Sequence, residues 1–172
     1  MEKQSTGAEN VVWDLTVLYA GIDDPNIQKD MTYYMEQAGA FANEYRGKVA
    51  SLDANGLNTA LKRMDGLYDS GGKIISFASL NYSTDTADPK RGALLQKATE
   101  FYSGFNQQLL FFMLEWNLVE DSRAKALIAD PILVNYAHHL EAERVYTPYQ
   151  LTEAEEKILS EKSVTGSNAW TR

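Results

Sequence analysis

The chain contains no cysteine among its 172 residues. Without thiols it cannot form disulfides, bind zinc or iron–sulfur clusters through sulfur, or use a cysteine nucleophile. This absence fits a reducing compartment, and no apolar run of the signal-peptide kind stands at the N-terminus. The most apolar stretch, residues 109–114, is far shorter than the roughly 20 residues that cross a bilayer. We therefore expect a cytoplasmic protein.

Positive charge is scarce, with 16 Lys and Arg against 24 Asp and Glu and a net charge of -8. Such a chain gains little from releasing the counterions of a phosphate backbone, so nucleic acid is a poor partner. Anionic membrane surfaces are disfavoured for the same electrostatic reason. We predict neither a nucleic-acid nor a membrane partner.

Histidine is almost absent too, since His138 and His139 are the only two. Adjacent residues on a helix point about 100° apart, so this pair cannot chelate one ion together. His139 and Glu143 share a helix face and could contact a divalent ion, but two ligands make a weak site. We favour a solvated or capping histidine and assign no metal ligand.

The four prolines separate stretches whose apolar residues recur every three or four positions, the spacing of a helix face. No alternation of useful length indicates a strand. The pattern predicts an all-α fold, a helical bundle of three long antiparallel helices plus several short ones. Residues 1–10 are polar and are expected to be flexible until Trp13, and residues 11–172 form one helical domain. The predicted helices run from Pro25 to about Val49, from Asp53 to Tyr82, from Pro89 to Trp116, from Arg123 to Ala129, from Pro131 to Arg144 and onward from Thr152.

Two glycines interrupt the second of these helices, at Gly71 and Gly72. Together they cost roughly 2 kcal/mol relative to alanine in a helix interior. The apolar pattern resumes beyond them at Ile74. We therefore predict a bent continuation of the helix.

On a helix, the six apolar side chains of residues 109–114 would point in every direction around the axis. A helix that buries only one face needs an apolar stripe only somewhat wider than 100°. Either this helix is covered on all sides or one side awaits a partner. We hypothesise that part of it, or the chain ends around Trp13 and Trp170, forms an exposed apolar patch. Such a patch would favour a homodimer or a neighbouring domain.

The last predicted helix opens with a capping box, in which Thr152 is followed three residues later by Glu155. Glu153, Glu155 and Glu156 could be interpreted as an acidic ligand cluster. We favour a structural role, because carboxylates at a helix N-terminus offset the macrodipole. No Ser-His-Asp constellation and no glycine-rich phosphate loop is present, so we assign no catalytic and no cofactor-binding residue.

Several motifs occur in an order that resembles the oligoendopeptidase F family of M3 zinc peptidases. The sequence Trp-Asp-Leu-Thr-Val-Leu-Tyr at residues 13–19 resembles its N-terminal signature, and residues 77–86 resemble the segment between its second and third long helices. Residues 146–152 resemble the lead-in to its acidic helix, and residues 166–170 resemble the exit from that helix. The resemblance covers about residues 11–172.

The resemblance implies an N-terminal helical domain that helps to wall a deep cleft for oligopeptides. It also implies a zinc ion in a separate catalytic domain, held by a His-Glu-x-x-His helix and a further glutamate. No position of this sequence matches that motif, so we expect the catalytic domain to lie outside these 172 residues. The chain alone should hydrolyse nothing. Its expected partners are the catalytic domain of the same polypeptide and the oligopeptide substrate.

Two other functions stay open at this stage. The chain could be a stand-alone helical interaction module that binds a protein through an apolar face. Less favoured is a small metal-binding protein centred on His138, His139 and nearby glutamates.

Overall fold

The computed structural model describes residues 7, 11, 14–166 and 170. Within these residues every regular element is helical, which confirms the predicted all-α class. The α-helices are α1 (Pro25–Tyr45), α2 (Ala54–Thr84), α3 (Pro89–Leu109), α4 (Phe111–Asn117), α5 (Asp121–Ile128), α6 (Ala137–Arg144) and α7 (Glu153–Thr165). Three 3₁₀ turns lie between them, at Val49–Ser51, Pro131–Leu133 and Thr147–Tyr149.

The three long helices α1, α2 and α3 pack against one another and form the bundle. Short connections over residues 46–53 and 85–88 reverse the chain direction between them. The small helices α4 to α7 follow, and α7 packs back against α3. This arrangement confirms the predicted helical bundle.

Aspartates cap the N-termini of all three long helices. The side chain of Asp24 accepts a hydrogen bond from the Asn26 N–H, that of Asp53 from Gly56 and that of Asp88 from Lys90. Each bond satisfies one of the N–H groups that a helix start leaves without a partner. Pro25 and Pro89 occupy the first helical positions, where the missing N–H costs nothing.

The first helix ends earlier than its apolar pattern predicts. α1 stops at Tyr45, and Gly47 has a φ of 76°, in the left-handed region that favours glycine. Val49 is nevertheless buried, because the 3₁₀ turn that follows returns it to the core.

The second helix continues through Gly71 and Gly72, as predicted. Gly71 is buried against the ring of Phe105 on α3. A Cβ atom there would lie 3.1 Å from Phe105 Cζ, closer than ordinary contact. The glycine therefore lets α2 and α3 approach each other closely.

The prediction of one helix from Pro89 to Trp116 was wrong. α3 ends at Leu109 and α4 begins at Phe111, with Leu110 between them. Leu109, Phe111 and Phe112 are all buried, on both sides of this division.

The change of helix at Leu110 also corrects the prediction of an apolar patch on this helix. None of the residues 109–114 is exposed. Trp170, in contrast, is 88% exposed. The predictions for Trp13 and for residues 1–10 concern positions that, apart from Gly7, lie outside the described residues.

The prediction of one helix over residues 131–144 was also wrong, because this segment forms two separate helical pieces. A 3₁₀ turn at Pro131–Leu133 precedes α6, which begins only at Ala137. Tyr136, just before α6, donates its hydroxyl to Asp65 on α2 at 2.6 Å. This contact attaches the segment before α6 to α2. In the part of the chain that the structure describes, no helix has the length and apolarity needed to cross a membrane.

Candidate functional site

The small helices form two adjacent depressions on the surface of the domain. We call the first, of about 370 Å³, the α4 groove, and the second, of about 270 Å³, the Asn117 pocket. The α4 groove is lined by Phe111, Leu114, Glu115, Leu118, Thr147, Gln150, Leu151, Thr152 and Glu153. The Asn117 pocket is lined by Leu114, Asn117, Glu143, Tyr146, Tyr149, Gln150 and Glu156.

Gln150 lines both depressions, and both the nitrogen and the oxygen of its side-chain amide form hydrogen bonds. Its Nε2 donates to the Leu114 carbonyl oxygen at 3.1 Å, and its Oε1 accepts from Asn117 Nδ2 at 3.0 Å. The connection between α6 and α7 is thereby attached to α4. Both amide orientations follow, since a reversed Asn117 would place two oxygens together.

Arg144, at the end of α6, binds the backbone at the end of α4. Its guanidinium donates to the carbonyl oxygens of Trp116 at 2.9 Å and Val119 at 2.8 Å, and it pairs with Asp121 at 2.5 Å. These carbonyls lie at the end of α4, where the Trp116 carbonyl also accepts from the Val119 N–H at 3.1 Å. Arg144 therefore attaches α6 to the end of α4 and to the start of α5.

Arg46, directly after α1, connects the long-helix bundle to the start of α7. Its Nη1 lies 2.5 Å from Glu153 Oε1, and its guanidinium carbon lies 4.3 Å from the centre of the Phe111 ring. Lys157 reaches the same Glu153 oxygen at 2.7 Å. The hydrogen bond from Lys157, followed by that from Arg46, lowers the pKa of the Glu153 carboxyl.

The capping box at the start of α7 is present as predicted. Thr152 N donates to Glu155 Oε2 at 2.9 Å, and Glu155 N donates to Thr152 Oγ1 at 3.4 Å. The hydrogen bonds from Thr152 lower the pKa of Glu155. Glu156 Oε1 in turn accepts from the Leu151 N–H at 3.1 Å. Glu155 and Glu156 thus accept hydrogen bonds from the backbone at this helix start, and Glu153 lies in ion pairs.

Exposed apolar side chains surround the two depressions. Their exposed fractions range from 44% for Leu151 to 80% for Tyr149. Large apolar side chains gathered on one surface are typical of a place where another molecule or domain docks. We call this set the apolar rim, and it comprises Leu118, Val145, Tyr146, Tyr149 and Leu151.

Both histidines are exposed on α6, outside both depressions. His139 Nδ1 lies 3.9 Å from Glu143 Oε1, so the predicted contact at helical spacing exists, but it is long. Among residues 7, 11, 14–166 and 170, no group of three or more His, Asp or Glu is arranged to hold a metal ion.

Four tyrosines of the long helices are partly or fully buried. Tyr45 is 9% exposed, and Tyr34, Tyr68 and Tyr102 pack against the core. Burial, together with Tyr102 and Glu143 nearby, raises the pKa of Tyr68 to about 12. These rings support the bundle and do not line the α4 groove or the Asn117 pocket.

Sequence reasoning missed Asn117, Gln150 and Arg144. Their partners are 23 to 36 positions away along the chain, so no local pattern marks them. The capping box, by contrast, joins residues only three apart and was found.

Comparison with known proteins connects this surface to a family. Residues 115–172 match a family model described as Oligopeptidase F, the N-terminal model of the M3 peptidases. The matched segment contains most of the residues that line the two depressions and all of the apolar rim. No curated protein and no solved structure matches the chain. The C-terminal third of the chain is thus similar to the N-terminal domain of the M3 oligoendopeptidase F family, which confirms the resemblance seen in the sequence.

Proposed function

We propose that this chain is the N-terminal domain of an M3-type zinc oligoendopeptidase. In that role it shapes the wall of the oligopeptide cleft and limits which substrates enter. The observation that carries the proposal is the position of the apolar rim, which lies wholly within the segment that matches the family model. The domain itself performs no chemistry, and the zinc ion belongs to a catalytic domain of the same polypeptide.

The apolar rim is the part of this surface suited to docking. Leu118 is 73% exposed at the end of α4, and Tyr146 and Tyr149 project from the connection between α6 and α7. In the proposed enzyme a neighbouring domain covers part of this rim, and the remainder faces the peptide. The absence of cysteine is compatible with a cytoplasmic location, which stays a prediction.

The first test is to read the coding sequence beyond the Arg172 codon. A frame that continues to His-Glu-x-x-His supports the proposal, and a stop codon at that point contradicts it. The exposed apolar rim would then favour the stand-alone interaction module, or a homodimer, as the function.

The second test uses the longer polypeptide. Zinc-dependent hydrolysis is measured for a series of peptides of increasing length and for an unfolded protein. The variants Leu118→Arg and Tyr149→Ala should change the length dependence of kcat/KM, whereas Tyr33→Ala, an exposed tyrosine on α1 outside both depressions, should not. An unchanged length profile in both rim variants would contradict a role in substrate access.

A further inference from the structure

The Asn117 pocket contains a buried acceptor that has no donor. Asn117 is only 6% exposed, and its Oδ1 has no hydrogen-bond partner within the part of the chain that the structure describes. Its Nδ2 donates to Gln150, which lines the same pocket, so the amide end of Asn117 lies at the pocket wall. A buried acceptor without a donor is costly and unusual in a folded protein.

Rotating the amide does not remove this problem. Gln150 Nε2 is already committed to the Leu114 carbonyl oxygen, so Gln150 presents its oxygen to Asn117. A reversed Asn117 would place its own oxygen against that oxygen and lose a hydrogen bond. The pair of amides therefore leaves one acceptor at the pocket wall without a donor among the described residues.

Two carboxylates line the pocket as well. Glu143 lies 3.9 Å from His139, and Glu156 accepts from the backbone N–H of Leu151. Among the described residues neither has a Lys or Arg ion-pair partner. The pocket thus combines a neutral acceptor with two carboxylates that no Lys or Arg of the described residues pairs with.

Two cationic side chains of α6 and α7 are engaged elsewhere. Arg144 is directed at the carbonyl oxygens of Trp116 and Val119 and at Asp121, and Lys157 is paired with Glu153. Neither lines the pocket. The two tyrosines that do, Tyr146 and Tyr149, are 67% and 80% exposed, and aromatic rings attract cations.

We propose that the Asn117 pocket binds an organic cation of a peptide, an ammonium or guanidinium group. Such a group donates several hydrogen bonds and accepts none, which matches one amide oxygen and two carboxylates. In a peptide it is supplied by a Lys or Arg side chain or by the free amino terminus. This inference does not rest on the proposed function, because it concerns binding by the chain alone.

The binding test is a ¹H–¹⁵N NMR titration of the 172-residue chain. Nα-acetyl-lysine methylamide supplies a side-chain ammonium, Nα-acetyl-arginine methylamide a guanidinium, and alanyl-alaninamide only a terminal ammonium. Nα-acetyl-norleucine methylamide keeps an apolar chain without any cation. At least one cationic probe should shift the side-chain NH₂ signals of Asn117 and Gln150, and the probe that binds most tightly identifies the source of the group.

Two variants and one control decide whether the pocket carboxylates are responsible. Glu156→Gln and Glu143→Gln should each weaken binding of that probe about ten-fold, as expected for a lost charge-assisted contact. Glu161→Gln removes the same charge from an exposed position of α7 outside the pocket and should leave the affinity unchanged.

Three results would overturn the inference. They are equal binding of the norleucine probe, equal weakening by Glu161→Gln, and no shift at Asn117 or Gln150 with any cationic probe. The measurement needs no peptidase activity, so its failure leaves the proposed function untouched. Failure of the hydrolysis experiments equally leaves the binding result standing.

Discussion

Arg144 and Trp116 are joined by two kinds of contact across the junction of α6 and α4. The guanidinium donates to the Trp116 carbonyl oxygen at 2.9 Å, and its carbon lies 5.6 Å from the centre of the Trp116 ring. The indole N–H of Trp116 donates in the opposite direction, to the Leu140 carbonyl oxygen at 3.0 Å. The two helices are thus held by a reciprocal, largely buried pair of interactions.

Replacing Arg144 by alanine should therefore destabilise the domain. The Val119 carbonyl would lose the guanidinium donor, which costs about 1–3 kcal/mol when the group stays buried. The Trp116 carbonyl would lose the same donor but keep its bond from the Val119 N–H. Urea unfolding followed by circular dichroism measures the change. Lys125→Ala, an exposed position on α5, is the control and should shift the free energy of unfolding by less than about 0.5 kcal/mol. If both substitutions change the free energy of unfolding equally, the contacts of Arg144 do not stabilise the junction of α6 and α4.

Gly71 and Gly72 should respond oppositely to alanine. At Gly72 a Cβ atom has no neighbour within 4 Å, so Gly72→Ala should stabilise α2 by about 0.5–1 kcal/mol through helix propensity. At Gly71 the new methyl group meets Phe105, whose ring is fully buried and cannot move away freely. Gly71→Ala should destabilise the domain, because overpacking typically costs about 1–3 kcal/mol.

The two glycine variants are matched in chemistry and adjacent in sequence, so each serves as the control of the other. In thermal and urea unfolding, the Gly72→Ala variant should be the most stable of the three proteins, the wild type intermediate and the Gly71→Ala variant the least stable. An equal stabilisation by both changes would mean that α2 and α3 do not approach as closely as the structure shows.

The capping box should govern the local stability of α7. Thr152→Ala removes the acceptor for the Glu155 N–H and should cost about 1 kcal/mol, whereas Thr152→Ser keeps the hydroxyl and should cost much less. Amide hydrogen exchange in the first turn of α7 is the suitable measurement, since it detects opening of this helix alone. Unaltered exchange in Thr152→Ala would contradict the role of the box.

The ion pairs at Glu153 predict a pH dependence for the attachment of α7. Because Lys157 and Arg46 lower the pKa of this carboxyl in the folded protein, the pairs stabilise the folded state above the unfolded pKa of about 4.3. This stabilisation is lost as the pH falls through the folded pKa. Solvent screening keeps it small, because the Glu153 side chain is 36% exposed.

Carboxyl-carbon NMR titration of Glu153 tests this directly. Lys157→Ala should raise the pKa of Glu153 towards its usual value, and Arg46→Ala should raise it by a smaller amount. Lys162→Ala, on the same helix but in no ion pair among the described residues, should leave that pKa in place. A Glu153 that titrates at the usual pKa in the unsubstituted chain would contradict the attachment of α7 through these pairs.

Local sequence determined the helical class and most helix starts. Asp24 with Pro25, Asp88 with Pro89 and Thr152 with Glu155 act over two or three residues, so their effect can be seen without tertiary structure. The resemblance in the C-terminal third is also a property of the sequence, and the family model confirms it.

Tertiary structure alone decided where the helices divide and which side chains form the site. The predicted third helix divides at Leu110, and the residues on both sides of it, Leu109 and Phe111, are buried in the core. Asn117 meets Gln150 across 33 positions, and Arg46 meets Glu153 across 107. Such contacts form only when distant segments pack, and no periodicity or capping signal along the chain encodes them.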